Sequence, residues 1–494
     1  MSDTIDTPRQ ALTPKTGMRR IRLPFETYQD RSPPLSSKRL LNMYAEKAPD
    51  DARAPVILKA TPGLEDQGLT CGAGPILAMN GDIPGKLYVV SGDRFYRISQ
   101  FVLYGPFVVE DLGYVGTPAA VDYPANLLPT IAAGVNAVVV CVPPNAYTCG
   151  HLDTSINQIG GDYPGARSVA YLDGYFAFTS DDLDSQFFIS HLLDPADFDA
   201  LDFAYADGVP NMLRRVLPLR GELWLIGEAA MEVWYNAGSS GLETAPGTSF
   251  FPFRRRAGAV IPFGTFAMKS FVLCDNSLFF VTSLGVVMRT KGYTVERVST
   301  HAIEQIILDR EGQGVQAAVA FIWEGHYCYA ISFPDRTVVY DCATLQWHER
   351  STSVNGNEPW LPQATGRLGQ NFYFGSRLDG KLFRMVSGGR YENGIDVRRQ
   401  AILAPLWAET KRAFCSRLEV EVEVGGGLTL DLAWSDDGGF NWNGGPRPLT
   451  TGTSRRTRVF TTRLGSFRQR AFTIGGFGDI ILYAVDADIT PGAH

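Results

Sequence analysis

The sequence predicts an all-β protein: a six- or seven-bladed β-propeller with an N-terminal extended arm and a C-terminal β-sandwich. Three observations predict it. Aromatic residues make up 12% of the 494 residues, with 29 Phe and 20 Tyr, and 51 Gly and 30 Pro punctuate them. That composition favours short strands and turns over long helices. A two-strand unit recurs along most of the chain, and beyond about residue 405 it gives way to strictly alternating strands.

Residues 1–64 read as the arm with the first strands. The stretch up to about residue 45 is polar and carries Pro8, Pro14, Pro24, Pro33 and Pro34. Proline fixes φ and cannot donate to a ladder, so this segment should run extended, wrapping either a neighbour or the body.

Residues 65–404 read as the propeller body. Leu87–Val90 is followed by a turn and then Phe95–Ile98. The same pattern returns at Tyr175–Phe178 with Phe187–Ile189, Leu223–Ile226 with Val233–Tyr235, and Leu278–Val281 with Val286–Met288. It returns again at Tyr327–Ile331 with Val338–Tyr340, and at Phe372–Phe374 with Leu382–Arg384. Each pair is a hairpin of two apolar strands joined by a Gly/Asp-rich turn. A weaker copy sits at Ala137–Cys141, and the region 120–160 is poorly marked, which leaves six or seven blades open. Successive copies lie roughly 40–55 residues apart, close to the period of propeller blades. One blade cannot bury both its faces, whereas blades stacked radially bury each other's. A single short helix is predicted at Ser299–Ile307, from a hydroxyl at its start and Glu304 close behind.

Residues 405–494 read as a β-sandwich. Leu418–Val424 alternates strictly, with Glu419, Glu421 and Glu423 on one face, and Leu428–Leu432 repeats the alternation.

The net charge of −7 argues against a protein that grips DNA phosphates, since that binding is driven by counterion release from a basic face. It suits a surface past which DNA slides. The seven cysteines, Cys71, Cys141, Cys149, Cys274, Cys328, Cys342 and Cys415, form no CxxC and read as reduced, mostly buried residues. The N-terminus lacks the basic and apolar regions of a secretory signal, and the longest apolar run, near Ile131–Val142, is too short to span a bilayer.

Candidate chemistry is sparse. Ser435-Asp436-Asp437-Gly438-Gly439-Phe440-Asn441-Trp442 fits the S-x-D-x-G-x-x-W hairpin called an Asp box, which occurs in sialidases and is a structural turn even there. Arg254-Arg255-Arg256 resembles a sialidase arginine cluster in composition, but on a strand Arg255 points away from the other two. Asp181, Asp182, Asp184, Asp194, Asp197 and Asp199 supply carboxylates without showing a pair across a cleft. His151, His191, His301, His326, His348 and His494 show no metal-binding spacing. The loop from Asn236 to Phe253 reads either as an ordinary long hairpin connection or as an insertion that packs on a neighbour or enters a lumen. No residue is assigned a catalytic, cofactor-binding or metal-binding role.

Several stretches carry a family resemblance. Leu41-Asn42-Met43-Tyr44-Ala45-Glu46 followed by Ala60-Thr61-Pro62-Gly63-Leu64 is similar to the opening of the packaged-DNA-stabilisation family of short-tailed phages, also called tail accessory factors. Val233-Trp234-Tyr235, Gly238, Phe251-Pro252-Phe253, Ala257-Gly258-Ala259, Phe263-Gly264, Ser277-Leu278-Phe279-Phe280 and Arg297–Glu304 resemble its middle. Arg417–Glu421 and Leu464–Arg470 look like its closing strands. The resemblance implies a virion protein forming a six-fold tail nozzle or hub below the portal and its adaptor ring. Such a ring closes the DNA exit channel, holds spikes or fibres and carries a needle or plug. The family supplies no catalytic residues.

The leading expectation is therefore a mechanical homo-hexamer, assembled in the host cytoplasm, with double-stranded DNA passing through a net-negative lumen. Two readings compete with it. A propeller glycosidase or sialidase acting on host surface polysaccharide requires a central funnel with convergent arginines or a close carboxylate pair. A propeller lectin requires a monomer that binds sugar.

Overall fold

Each two-strand unit predicted from the sequence is the middle pair of a four-stranded antiparallel sheet. The computed structural model describes residues 17–29, 31–32, 36–48, 55–100, 105–116, 128–238, 251–265, 267–310, 314–408, 411–424, 429–450 and 456–492. Among them are seven such four-stranded units, here blades 1 to 7; five are separate sheets, and blades 6 and 7 are continued by further strands into sheets of eleven and six strands. The blades' first strands are Ile76–Asn80, Thr130–Ala133, Ala166–Leu172, Leu213–Leu219, Val272–Cys274, Ala317–Trp323 and Pro362–Leu368. The fold is an all-β propeller, and its blade count is the higher of the two that the sequence left open.

The middle strands are apolar on both sides for a simple reason. In blade 1, Lys86–Ser91 pairs with Arg94–Ser99, Val89 lying opposite Tyr96. Leu87 and Val89 pack into a cluster shared with blade 7, whereas Tyr88 and Val90 pack into one shared with blade 2. Alternate side chains thus meet different blades, so the run is continuously hydrophobic instead of alternating. Seven clusters of this kind join each blade to the next and blade 7 back to blade 1. The short helix His301–Leu308 buries Ala302, Ile303 and Ile306 at the cluster between blades 5 and 6.

Closure uses the start of the chain. Blade 7 takes three strands from its own stretch, and the fourth is Gly63–Thr70, antiparallel to Lys381–Val386 with Leu64 opposite Met385. Gly63 enters this strand against the backbone of Gly389 and Tyr391, where a Cβ would lie 2.8 Å from both, so only glycine fits.

The described part of the N-terminal arm wraps the body. Gly17–Ile21 pairs with Ile480–Pro491, Val56–Ala60 pairs with Met43–Lys47 and Ile480–Pro491, and Ser37–Leu41 pairs with Arg398–Ile402. The two sheets of the C-terminal unit therefore draw strands from both ends of the chain. Ala413–Val424 runs between Ile480–Pro491 and Arg456–Thr462 in one sheet. Gln469–Phe477 runs between Arg398–Ile402 and Thr429–Ser435 in the other. Leu418, Val420, Val422, Leu430, Leu432, Phe472, Ile474 and Val485 fill the space between them.

Asn42 couples this unit to the propeller. Its left-handed backbone (φ 50°) turns the chain beside blade 6. Its side-chain amide donates to the carbonyls of Ser351 (2.9 Å) and Arg398 (2.8 Å), and its oxygen accepts from Ser351 N at 3.0 Å. Leu41 pairs in parallel with Glu349 of blade 6, so the second sheet of the sandwich continues a propeller blade. The seven cysteines are free thiols; all are buried except the half-buried Cys342, and burial pushes Cys71 and Cys149 up to about 12.

Candidate functional site

The Asp box is a closed hydrogen-bonded turn. It joins Thr429–Ser435 to Asn443–Thr450 in the sandwich, outside the propeller. Ser435 Oγ donates to Asp437 Oδ1 (2.6 Å), and the Asn441 backbone amide donates to the same oxygen (2.9 Å). The Gly439 amide donates to Ser435 Oγ at 2.8 Å, with Gly438 and Gly439 at φ of 84° and 111°. These bonds, led by the Asn441 amide, hold the Asp437 carboxyl well below the usual carboxylate range. Asp436 accepts a two-pronged ion pair from buried Arg470 (2.6 and 2.7 Å). The lone pairs of this turn are occupied by its own chain, which makes it a strand connector.

The arginine run does not converge. Arg255 approaches Asp207 (3.5 Å) and Glu232 (3.8 Å), while Arg256 pairs with Glu222 and lies over the rings of Tyr235 (4.9 Å) and Tyr293 (5.7 Å). The adjoining loop falls largely outside the described residues, which resume at 251. Asp181 pairs with Arg167 at 3.5 Å; Asp194 and Asp199 accept from the amides of Ala196 and Leu201; Asp197 holds His191 at 2.7 Å. Asp182 and Asp184 are exposed. These carboxylates serve local turns.

The histidines are likewise spread out. His151 accepts from Tyr88 Oη at Nδ1 (2.7 Å) and faces the Gly134 carbonyl with Nε2 (2.8 Å), so the network assigns the proton to Nε2. His301 is exposed beside Glu304. His326 pairs with Asp341 at 2.7 Å and stands above its ordinary pKa because of that carboxylate. His348 is buried next to them, and loss of hydration pushes it down to about 4. His494 lies outside the described residues. Among the described residues no group of three His, Cys, Asp or Glu side chains could hold a metal ion, and no helix is long and apolar enough to cross a membrane.

The acidic row of the sandwich is neutralised across its strands. Glu421 pairs with Arg456 (2.6 Å), Glu419 with Arg417 (2.8 Å) and Arg458 (3.5 Å), and Glu423 accepts from Tyr483 Oη (2.7 Å). The sequence alternation put the carboxylates on one face correctly. The arginines that answer them come from Arg456–Thr462 and from the same strand.

A central tunnel remains. The seven innermost strands enclose a cavity of about 350 Å3 along the propeller axis. Leu77, Met79, Ala132, Val216 and Phe271 give it apolar walls, and Arg215, Lys269, Asn80, Gln363 and Asp82 supply polar groups. Among the described residues Asp82 is the one carboxylate of this lining, so they form no carboxylate pair of the kind a glycosidase needs there. Sequence reasoning passed over these residues because they belong to no motif. The one available signal was Arg214-Arg215 at the head of an otherwise apolar strand.

The family model described as "Bacteriophage P22 Gp10, beta-propeller" matches residues 26–387. The chain belongs to this phage-stabilisation family. The matched stretch runs from the N-terminal strands through the last strand of blade 7, so family membership attaches to the closed propeller. No curated protein sequence matches the chain. Solved structures with a similar course include the extracellular domain of BT4673 from B. thetaiotaomicron, at 9% identity and TM-score 0.41, covering 66% of this chain and 40% of that one. They also include YCF48 from Cyanidioschyzon merolae (11%, TM-score 0.41, 65% and 98%) and PorZ from Porphyromonas gingivalis (10%, TM-score 0.38, 80% and 48%). The chain thus spans well under half the length of the BT4673 domain. At these identities and scores, the likenesses carry no functional argument beside the phage-stabilisation match.

Proposed function

We propose that this protein is a structural component of a short-tailed phage particle: a tail nozzle or hub in which six copies form a ring below the portal–adaptor complex. The observation that carries the reading is the family match across the propeller, residues 26–387. In this reading the ring closes the DNA channel after packaging, stabilises the packaged DNA and conducts it during ejection. Spikes or fibres attach outside, and a needle or plug sits at the tip. Assembly takes place in the host cytoplasm, and the function is mechanical, with no catalytic residue and no cofactor.

The DNA path in such a ring lies between subunits. A tunnel of about 350 Å3 is the size of a small-molecule pocket (roughly 300–1,000 Å3) and cannot admit a duplex whose major groove alone is about 12 Å wide. The net charge of −7 suits a channel wall that repels phosphates and lets DNA slide. The internal ion pairing of the sandwich's acidic row assigns that repulsion to other surfaces.

Particle mass of the purified protein, alone and mixed with portal–adaptor complex, tests the proposal. Six copies docking on the complex is the expected result. A persistent monomer that cleaves or binds host polysaccharide would overturn it.

A further inference from the structure

The tunnel lining carries a cation, Arg215, that pairs with no carboxylate among the described residues. Arg215 follows a register shift at the start of the innermost strand of blade 4, and this places it on the lining of the cavity. Among the described residues no carboxylate or carbonyl accepts from its guanidinium, whereas its neighbour Arg214 is paired with Glu228 and Arg167 bonds the carbonyls of Leu213 and Asp181. Loss of hydration pushes Arg215 down to about 10. Arg215 is half-buried on this lining, and a guanidinium held there without a protein acceptor is open to an anionic ligand.

A second guanidinium lies close by, within the electrostatic reach of Glu358. A smaller cavity of about 50 Å3 shares Lys269 and Gln363 with the tunnel and is bounded by Ser332 and Arg377. Arg377 Nη1 is buried there without a hydrogen-bond partner. Ala317 and Pro362, which begin the innermost strands of blades 6 and 7, border this cavity, so it opens at the rim where those strands start. Asp82 lies beyond the opposite end of its strand, bonded to Asn80 (2.7 Å), and adjoining Gly81 abuts Arg367 near the end of the blade 7 strand. The basic groups therefore gather toward one rim and the carboxylate toward the other.

We propose that the propeller tunnel is a binding site for a small oxyanion of the phosphate class, held by Arg215 of blade 4 with Lys269 and Arg377 at the adjoining rim. Planar guanidinium forks match the paired oxygens of phosphate. The volume admits inorganic phosphate, or a phosphate carried on a small organic group. The site is complete within one copy and does not depend on the ring.

Calorimetric titration of the full-length protein with inorganic phosphate, parallelled by sulfate and by glutamate, tests this. Saturable phosphate binding is expected, weakened about tenfold or more in Arg215→Gln through loss of charge-assisted hydrogen bonds. Asp82→Asn should bind at least as well as the parent. A thermal readout separates binding from folding: phosphate should raise Tm of the parent in a concentration-dependent way and leave that of Arg215→Gln unmoved. Equal or tighter binding of glutamate would overturn the phosphate assignment in favour of a carboxylate. Absence of saturable binding by the parent, or binding indifferent to Arg215→Gln, would overturn the site.

Discussion

Arg350 and Glu392 meet at 3.0 Å with each side chain only 1% exposed. Arg350 ends the last strand of blade 6, and Glu392 lies on the short strand Tyr391–Glu392, which adds to the blade 7 sheet beside Leu64 of the closing strand, so this buried pair ties blade 6 to blade 7 where the ring closes. Glu392 also accepts from Thr352 Oγ1 (2.5 Å) and Trp360 Nε1 (3.2 Å), and the Arg350 guanidinium lies 4.0 Å from the Trp360 ring centroid. Arg350 further donates to the Pro62 carbonyl at 2.6 Å, which draws in the start of the closing strand. Replacing one partner leaves an uncompensated buried charge, which costs roughly 3–5 kcal/mol. Glu392→Gln should lower the urea midpoint accordingly, and adding Arg350→Met should recover a large part of the loss. An additive double variant would show that the two side chains do not act as a pair.

His348 should set the acid sensitivity of this junction. It is buried beside Asp341, His326 and Arg350, and loss of hydration holds it near 4 against about 6.5 in the unfolded chain. The unfolded chain takes up the proton first as pH falls. Stability is therefore complete above about 6.5 and drops progressively toward 4. His326 has the opposite sign: the Asp341 carboxylate raises it, so its contribution is complete below 6.5 and is lost only on the alkaline side. Asp341 is held low, and its contribution fades only below the ordinary carboxylate range. The window between 6.5 and 4 thus belongs to His348 among the three. In His348→Gln, the loss of stability across that window should shrink by roughly 3 kcal/mol. An unchanged pH profile in denaturant melts would refute the assignment.

Gly375 should control closure of the ring. It lies on the second strand of blade 7, and a Cβ there would run into the side chain of Ile76 at the head of blade 1. Gly375→Val overpacks the interface between blades 7 and 1 and should cost about 1–3 kcal/mol. Ile76→Ala in the same chain should relieve part of that cost, so the double variant should melt above the sum of the singles.

The same interface shows what the sequence made legible. In blades 1 and 3 to 7 the hairpin read from the sequence is the second and third strand, whose side chains meet a neighbouring blade on both faces, and blade 2 showed only its second strand. First strands were obscured because they line the tunnel with smaller residues, and in blades 1, 3, 4 and 7 a register shift interrupts them. Fourth strands were obscured by exposure, as in Asn157–Gln158 of blade 2. The closing strand Gly63–Thr70 was invisible for another reason: its partner lies far along the chain, so no local turn announces it. Arg215 escaped because its meaning comes from the acceptors missing around it among the described residues, and no spacing encodes that. The Asp box, by contrast, was legible as a turn because every bond that defines it is local.

That turn gives the most direct separation of a structural from a catalytic reading. If Asp437 only closes the hairpin, Asp437→Ala should remove the bonds to Ser435 and Asn441 and cost about 1 kcal/mol, since the site is exposed and water replaces part of what is lost. Its carboxyl stands below the usual range in the folded chain, so its contribution is present above about 3.9 and disappears as pH falls further. The parent and Asp437→Ala should therefore converge in stability at the acid end of a pH series. Arg470→Met should behave differently, because Arg470 is buried under the turn, lies 4.6 Å from the Phe467 ring centroid and bonds the Leu464 carbonyl (2.7 Å) as well as Asp436. Its loss should cost more than that of Asp437 at every pH. Both variants should match the parent's mass when mixed with portal–adaptor complex, because the turn lies outside the matched residues 26–387. Polysaccharide cleavage by the parent that disappears in Asp437→Ala would reverse the structural reading of the turn and of the protein with it.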